Sequence, residues 1–280
     1  MSEHTSQIEA VEAEVHLISR TPFSLETTPE IDFLIPELEP LYAAGKDRIY
    51  AAHASFGGPK GLLRSAAASL LGSPQTNHAG DSGDPREQEI RAIGEFARNT
   101  GLILDAKGVT GLIEKNFLDS GMEHRVGVLI DRGLVLKSYD PRDFNPHTGD
   151  IFYKPTDSLF DYLTDHLLSN FVFGDDVHLE GFYEEEETWF IVISQPFIDG
   201  RHIQKDALVK VLEDKGLRDS GSNQFKVDGG EAGDLTVTDI HEGNVLFDTD
   251  EAAYVIDAHF KFESREARLM ALMALGLWEG

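Results

Sequence analysis

Cysteine is missing from this sequence of 280 residues. Disulfide bonds, zinc–thiolate centres, iron–sulfur clusters and cysteine nucleophiles are therefore excluded, because each of them needs a thiol. A chain without cysteine suits a reducing compartment, and we expect a cytoplasmic protein. The first residues, Met1 to His4, are not a basic segment followed by an apolar run, so we also expect no signal peptide.

Basic residues and long hydrophobic runs are both scarce. The chain has 24 Lys and Arg against 50 Asp and Glu, which gives a formal net charge of −26. Each phosphate contact calls for Lys or Arg, so we expect neither nucleic acid nor an anionic membrane as a partner. Dense apolar stretches such as residues 189–193 are too short to span a bilayer. The 41% of hydrophobic residues is nevertheless enough to build a folded core.

A change of composition divides the chain. Residues 72–85 are rich in Gly, Ser, Asp, Asn and Pro and are predicted to form a flexible linker. Residues 1–71 are then an N-terminal extension, which we predict to be partly helical because apolar residues between Leu62 and Leu71 have helical spacing. The remaining residues, 86–280, are predicted to form the main domain.

Helices and short strands mix within this main domain. The patterns predict helices at about 86–99, 157–173, 204–215 and 264–277, with Thr156 as the N-cap of the second. They predict hairpins at 125–139 and 177–194, and short strands between 235 and 256. Segment 216–234 is polar and Gly-rich, with one strand-like patch near Phe225. The sequence therefore predicts an α+β fold.

The stretch from Leu235 to Phe260 concentrates the chemistry. Asp239 and Asn244 lie five residues apart in a polar loop between two apolar runs, and Asp257 follows thirteen residues later, after the next run. Phosphoryl transfer needs a carboxylate that orients the acceptor hydroxyl, together with oxygen ligands that hold Mg²⁺ against the ATP phosphates. A short hairpin would bring the three side chains to one edge. We therefore expect a phosphotransferase site here.

The segment Asp-Ile-His-Glu-Gly-Asn-Val-Leu at 239–246, followed by Ile-Asp at 256–257, resembles the catalytic loop and metal-binding Asp of the protein-kinase-like superfamily. The His and Gly within it are similar to the aminoglycoside phosphotransferase and choline kinase branch. Two features depart from the superfamily. Val237-Thr238 stands where His-Arg or His-Gly usually precedes the Asp, and Ala258-His259 stands where protein kinases have Phe-Gly.

Four motifs together resemble the kinase-like domain of polyvalent proteins from phages and conjugative elements, over residues 86–260. The motifs are GMEHRV at 121–126, the spaced DYL, N and FGDD of 161–176, SQPFIDGR at 194–201 and DIHEGNVL at 239–246. The resemblance implies a two-lobed protein-kinase-like α+β fold. Its N-lobe would span about residues 101–195, and a reduced C-lobe about residues 196–280.

The resemblance also implies roles for individual residues, with ATP and Mg²⁺ as cofactors. In the catalytic set Asp239 is the base, Asn244 and Asp257 are Mg²⁺ ligands, Lys137 pairs with the ATP phosphates, and Asp161 orients Lys137, with Asp165 as its substitute. In the nucleotide-binding set Gly121 lies in a reduced phosphate-covering loop, and Gln195, Phe197 and Asp199 lie in the hinge that binds adenine.

The implied reaction is transfer of the γ-phosphoryl group to a hydroxyl of a protein Ser, Thr or Tyr. Two alternatives remain open at this stage. A small-molecule kinase of the aminoglycoside type is favoured by the His two residues after Asp239. A pseudokinase or nucleotide-binding interaction module is favoured by the single glycine near Gly121 and by the lack of Glu on the helix at 157–173. The partners are ATP and either a protein or a small-molecule acceptor.

Overall fold

A computed structural model describes residues 34–72, 84–120, 124–142, 158–249 and 252–279. The predicted phosphate-covering residue Gly121, the proposed N-cap Thr156 and most of the predicted linker lie outside these described residues. Within them, none of the helices combines the length and the apolar character that crossing a membrane requires.

The largest sheet has five strands in the order β1-β2-β3-β5-β4, and every neighbouring pair is antiparallel. Its strands are β1 Phe117–Ser120, β2 His124–Leu129, β3 Leu134–Tyr139, β4 His178–Glu185 and β5 Thr188–Pro196. Both predicted hairpins are present, as β2–β3 and β4–β5. Seven consecutive residues of β5 are buried. Such a run marks a strand that is covered on both faces of the sheet.

Seven helices occur in the described ranges. They are α1 Lys46–Phe56, α2 Pro59–Ala68, α3 Pro85–Thr100, α4 Ala106–Lys115, α5 Leu159–Val172, α6 Lys205–Asp214 and α7 Arg265–Ala274. The N-cap of α5 is Ser158, whose hydroxyl accepts a hydrogen bond from the amide of Asp161. Helix α1 escapes sequence analysis because few of its residues are buried, among them Ile49 and Ala52, and they form no strong apolar face.

Two smaller sheets complete the fold. The first has the order β11-β10-β6 and is built from β6 Arg201–His202, β10 Val245–Phe247 and β11 Ala253–Val255. The second has the order β12-β9-β8-β7 and is built from β7 Arg218–Gly221, β8 Gln224–Asp228, β9 Asp234–Thr238 and β12 His259–Lys261. Segment 216–234 thus contains a hairpin, and Ser222 and Asn223 at its turn both have positive φ, as a tight hairpin turn requires.

The described part of the N-terminal extension shares the core of the main domain. Leu38, Ile49 and Leu62 are fully buried and belong to the same hydrophobic cluster as β4, β5 and α5. Lys60 on α2 forms an ion pair of 3.1 Å with Asp176, which lies just before β4. Residues 34–72 are therefore packed into the domain, and no break in the core separates them from it.

Helix α5 lies between β3 and β4 in the chain, and the motif residues follow on the short strands β9 to β12. This arrangement is the α+β, kinase-like fold that the resemblance implies. The last helix, α7, returns to α5. Trp278, just beyond α7, contacts Phe160 edge-on, with 6.0 Å between the ring centroids. Trp278 therefore packs on α5.

Candidate active site

Two strand pairs bring the three motif residues together. Asp239 follows β9, Asn244 directly precedes β10, and Asp257 lies between β11 and β12. Strand β9 pairs with β12, and β10 pairs with β11. The amide of Ile256 also donates to the carbonyl of Asn244 at 2.8 Å. The loops that carry the motif therefore meet at one edge, as the sequence predicts.

The backbone of this edge is held in an unusual conformation. Asp239 has φ of 59° and Asp257 has φ of 55°, a region that non-glycine residues seldom occupy. Such conformations persist only where surrounding contacts hold them. The side-chain amide of Asn244 donates to the carbonyl of Asp239 at 3.0 Å, and the amide of Ile240 donates to the carbonyl of Asn223 at 3.2 Å. These contacts hold the backbone on both sides of the peptide bond between Asp239 and Ile240.

Lys137 and Asp257 form an ion pair. The Lys137 side chain is only 4% exposed, whereas that of Asp257 is 35% exposed. Burial by itself raises the pKa of Asp257, but the neighbouring basic groups, with the ammonium of Lys137 first among them, together hold that pKa well below its usual range. Asp257 therefore stays ionised at neutral pH, as a metal ligand must.

Two neutral histidines lie near this ion pair. Burial, reinforced by the charge of Lys137, lowers the pKa of His124 and lowers that of His166 to about 4. The Nε2 atom of His124 lies 3.0 Å from the hydroxyl of Tyr162. At neutral pH these imidazoles add no positive charge beside Lys137. Sequence analysis missed His166, and its only signal is the four-residue spacing from Tyr162 on α5.

The expected ion pair between Asp161 and Lys137 does not form in the structure. Asp161 instead lies 2.9 Å from Nε of Arg268, and Asp165, the substitute, lies 2.6 Å from Nη1 of the same residue. The physical reason is that α7 packs on this face of α5 and brings a guanidinium to both carboxylates. A contact between residues more than a hundred positions apart has no local sequence signal.

The predicted hinge is also partly engaged within the chain. The amide of Phe197 donates to the carbonyl of Gly133 at 2.8 Å, so this donor is not available to adenine in the observed conformation. Gln195 is buried and pairs with Val135 in the sheet, while Asp199 is exposed. A Cβ on Gly200 would lie 2.2 Å from the carbonyl oxygen of Phe247, so the hinge rests directly on β10.

The oxygen atoms of the site fit Mg²⁺ only in the company of phosphates. In the described ranges no three His, Asp or Glu side chains are grouped so that they could hold a metal by themselves. The motif supplies two carboxylates, Asp239 and Asp257, and the side-chain amide of Asn244. Proteins usually bind Mg²⁺ through one or two carboxylates, with substrate phosphates and water completing the octahedron.

Comparison with known proteins assigns most of the chain to a family. No curated protein and no solved structure matches the chain. A family model described as Serine/Threonine/Tyrosine Kinase found in polyvalent proteins matches residues 86–264, well over half of the chain. The matched range runs from α3 to the cap of α7 and contains Lys137, Asp239, Asn244 and Asp257. The chain therefore belongs to the family of serine/threonine/tyrosine kinases found in polyvalent proteins.

Proposed function

We propose that this protein transfers the γ-phosphoryl group of Mg²⁺-bound ATP to the hydroxyl of a protein serine, threonine or tyrosine. The observation that carries the proposal is the buried Lys137 paired with Asp257, next to the loop of Asp239 and Asn244. One cation, two carboxylates and an amide are the groups that phosphoryl transfer requires. The family match adds support for a kinase.

Lys137 and Asp257 would bind the nucleotide together. The ammonium has three N–H donors, so Lys137 can keep one hydrogen bond to Asp257 and donate another to a phosphate oxygen. Asp257 and Asn244 would offer their oxygens to Mg²⁺, which when bound neutralises charge on the phosphates. The side chain of Lys137 is only 4% exposed. Burial strengthens the attraction between Lys137 and a phosphate, because little water screens the two charges.

Asp239 would act on the acceptor. Its side chain is 41% exposed, so an acceptor hydroxyl can approach it from solvent. The carboxylate would accept a hydrogen bond from that hydroxyl, orient its oxygen, and take its proton as the new bond to phosphorus forms. The hydrogen bond from the Asn244 amide to the carbonyl of Asp239 would hold the loop still during this step.

A phosphotransfer assay with γ-labelled ATP and a mixture of protein acceptors tests the proposal. We expect Asp239→Asn and Asp257→Asn to lower the rate by about a hundredfold or more. Asp239→Asn would orient the acceptor hydroxyl poorly, and Asp257→Asn would leave the negative charge of the transferred group poorly neutralised. The matched control is Asp214→Asn, an exposed carboxylate at the end of α6, which should keep the wild-type rate. Equal rates for all four proteins would overturn the proposal.

A second candidate, a nucleotide-binding interaction module, is favoured by one observation. The two carboxylates of α5 considered as partners of Lys137, Asp161 and Asp165, are engaged by Arg268 instead. Both candidates require nucleotide binding, and thermal unfolding with and without Mg·ATP measures it. A ligand at a hundred times its dissociation constant stabilises by about 2.7 kcal/mol. Stabilisation without any phosphotransfer, to proteins or to a panel of small-molecule alcohols, would favour the interaction module.

A further inference from the structure

Arg268 on α7 is the centre of a buried network on α5. Its Nε atom lies 2.9 Å from Asp161, and its Nη1 atom lies 2.6 Å from Asp165 and donates to the hydroxyl of Thr164 at 3.0 Å. Arg268 and Asp165 are 4% and 3% exposed. A guanidinium presents five donors in a rigid fork, and this one uses all three of its nitrogens.

The same network holds the strand that follows Asp257. The Nη2 atom of Arg268 donates to the carbonyl of Phe260 at 2.6 Å, and Asp165 accepts from the amide of Phe260 at 3.2 Å. The other oxygen of Asp165 lies 3.2 Å from Nδ1 of His259. The amide of Phe260 is therefore tied to α5 and its carbonyl to α7, three residues beyond Asp257.

Asp165 is ionised at neutral pH. Burial raises the pKa of Asp165, but Arg268 and His259 together bring it below its ordinary value. Asp165 therefore remains a carboxylate and keeps both of its partners. The ring of Phe262 covers the guanidinium, with 4.8 Å from Cζ to the ring centroid, and so shields the pair from solvent.

We propose that Arg268 is a positioning residue for Asp257, an inference that rests on the proposed function. Asp257 lies between β11 and β12 in a backbone conformation that its surroundings must maintain. Arg268 and Asp165 fasten the start of β12 to α5. With β12 held in this way, the carboxylate of Asp257 faces Lys137 on β3 and can bind Mg²⁺ before the nucleotide arrives. Arg268 thus links α7 to α5. The α5 carboxylates that contact it, Asp161 and Asp165, are therefore not the partners of Lys137.

The variant Arg268→Lys tests this proposal, because lysine keeps the charge but has no fork to reach Asp161, Asp165 and Phe260 together. The matched control is Arg265→Lys, one turn earlier on α7. The side chain of Arg265 is 9% exposed and pairs with Glu89 on α3 at 2.7 Å. We expect both variants to lower the Tm. Only Arg268→Lys should raise the Mg²⁺ concentration for half-maximal activity, by about tenfold, as the loss of a residue that orients a metal ligand does.

A second experiment, the exchange arm of the test, measures amide hydrogen exchange of residues 258–262 in the protein without nucleotide. Exchange there should be faster in Arg268→Lys than in Arg265→Lys. Equal Mg²⁺ dependence and equal exchange in the two variants would overturn the role of Arg268. If the wild-type protein shows no Mg²⁺-dependent nucleotide binding, the proposed function fails, and the exchange arm alone then decides whether Arg268 positions this segment.

If Arg268→Lys does not fold, Asp165→Asn replaces it in both arms. The amide oxygen of Asn can still accept from Phe260, whereas the charge that holds Arg268 is lost. The same two results are expected for it, and their absence would contradict the proposal.

Discussion

The ammonium of Lys137 on β3 meets the carboxylate of Asp257 across 120 positions of sequence, and the two side chains differ sharply in burial. Lysine is almost fully covered, while about a third of the aspartate faces solvent. The pair is therefore unequal. Removing the aspartate leaves a buried charge, whereas removing the lysine leaves a charge that water can reach.

This inequality predicts an order of stability. Losing one partner of a buried pair costs about 3–5 kcal/mol when the remaining charge stays buried. We expect Asp257→Asn to approach that loss and Lys137→Met to cost less than half of it. The double variant should be more stable than Asp257→Asn alone, because the isolated ammonium is gone. Urea unfolding at pH 7 measures all three, and a larger loss for Lys137→Met would contradict the assignment.

Glu180 on β4 predicts a pH dependence of stability. Its side chain is 1% exposed, it accepts a hydrogen bond of 2.6 Å from the hydroxyl of Ser194, and burial raises its pKa to about 7. Between pH 4.5 and 7 the unfolded chain releases this proton while the folded protein keeps it. Stability therefore falls as pH rises through this window, and the loss is complete above the folded pKa.

Replacing Glu180 by Gln removes this titration. Relative to wild type, Glu180→Gln should gain about 2–3 kcal/mol in free energy of unfolding between pH 4.5 and pH 8. The comparison isolates Glu180, because other titrating groups such as Asp175 are common to both proteins. The control Glu95→Gln, exposed on α3, should follow the wild-type curve. A constant difference between Glu180→Gln and wild type across this range would show that Glu180 does not titrate there.

Gly200 predicts a specific defect at the hinge. A methyl group there would meet the backbone of Phe247 and Asp248, so β10 or the hinge must move. We expect Gly200→Ala to weaken ATP binding at saturating Mg²⁺ and to lower the Tm. Gly111→Ala is the control, because a Cβ at Gly111 on α4 meets nothing and should stabilise the helix by about 0.5–1 kcal/mol. Isothermal titration and thermal unfolding measure both, and unchanged ATP affinity in Gly200→Ala would show that the contact with β10 does not shape the nucleotide site.

The charge around the motif predicts that ATP binding requires a divalent metal. Residues 227–260 contain nine acidic side chains and neither Lys nor Arg. This segment repels free ATP and attracts divalent cations. We expect EDTA to abolish ATP binding in isothermal titration, whereas the weak binding of adenosine, which has no phosphates, should be unaffected. Equal ATP affinity with and without EDTA would remove Mg²⁺ from the proposed site.

The parts of the fold that sequence could predict are those with local signals. The β2–β3 hairpin consists of two apolar runs on either side of the turn Asp131-Arg132-Gly133, and the loop at Asp239 has a fixed motif spacing, so the sequence predicts both at the right place. Helix α4 was not predicted, because only Val109 and Ile113 of its ten residues are buried. The residues that were missed in the site, Arg268 and His166, act through contacts with distant segments that leave no pattern in their neighbours.

Helix α7 also sets an order of events during synthesis. Arg268 follows Asp165 by 103 positions, whereas all five strands of the largest sheet are complete by Pro196. On the ribosome, the sheet and α5 therefore exist while both carboxylates of α5 still lack their guanidinium. The chain can build its largest sheet early, but the contacts of Arg268 with Asp165 and Phe260 form only after the last helix has emerged. A growing chain therefore cannot form the complete proposed site before α7 has been synthesised.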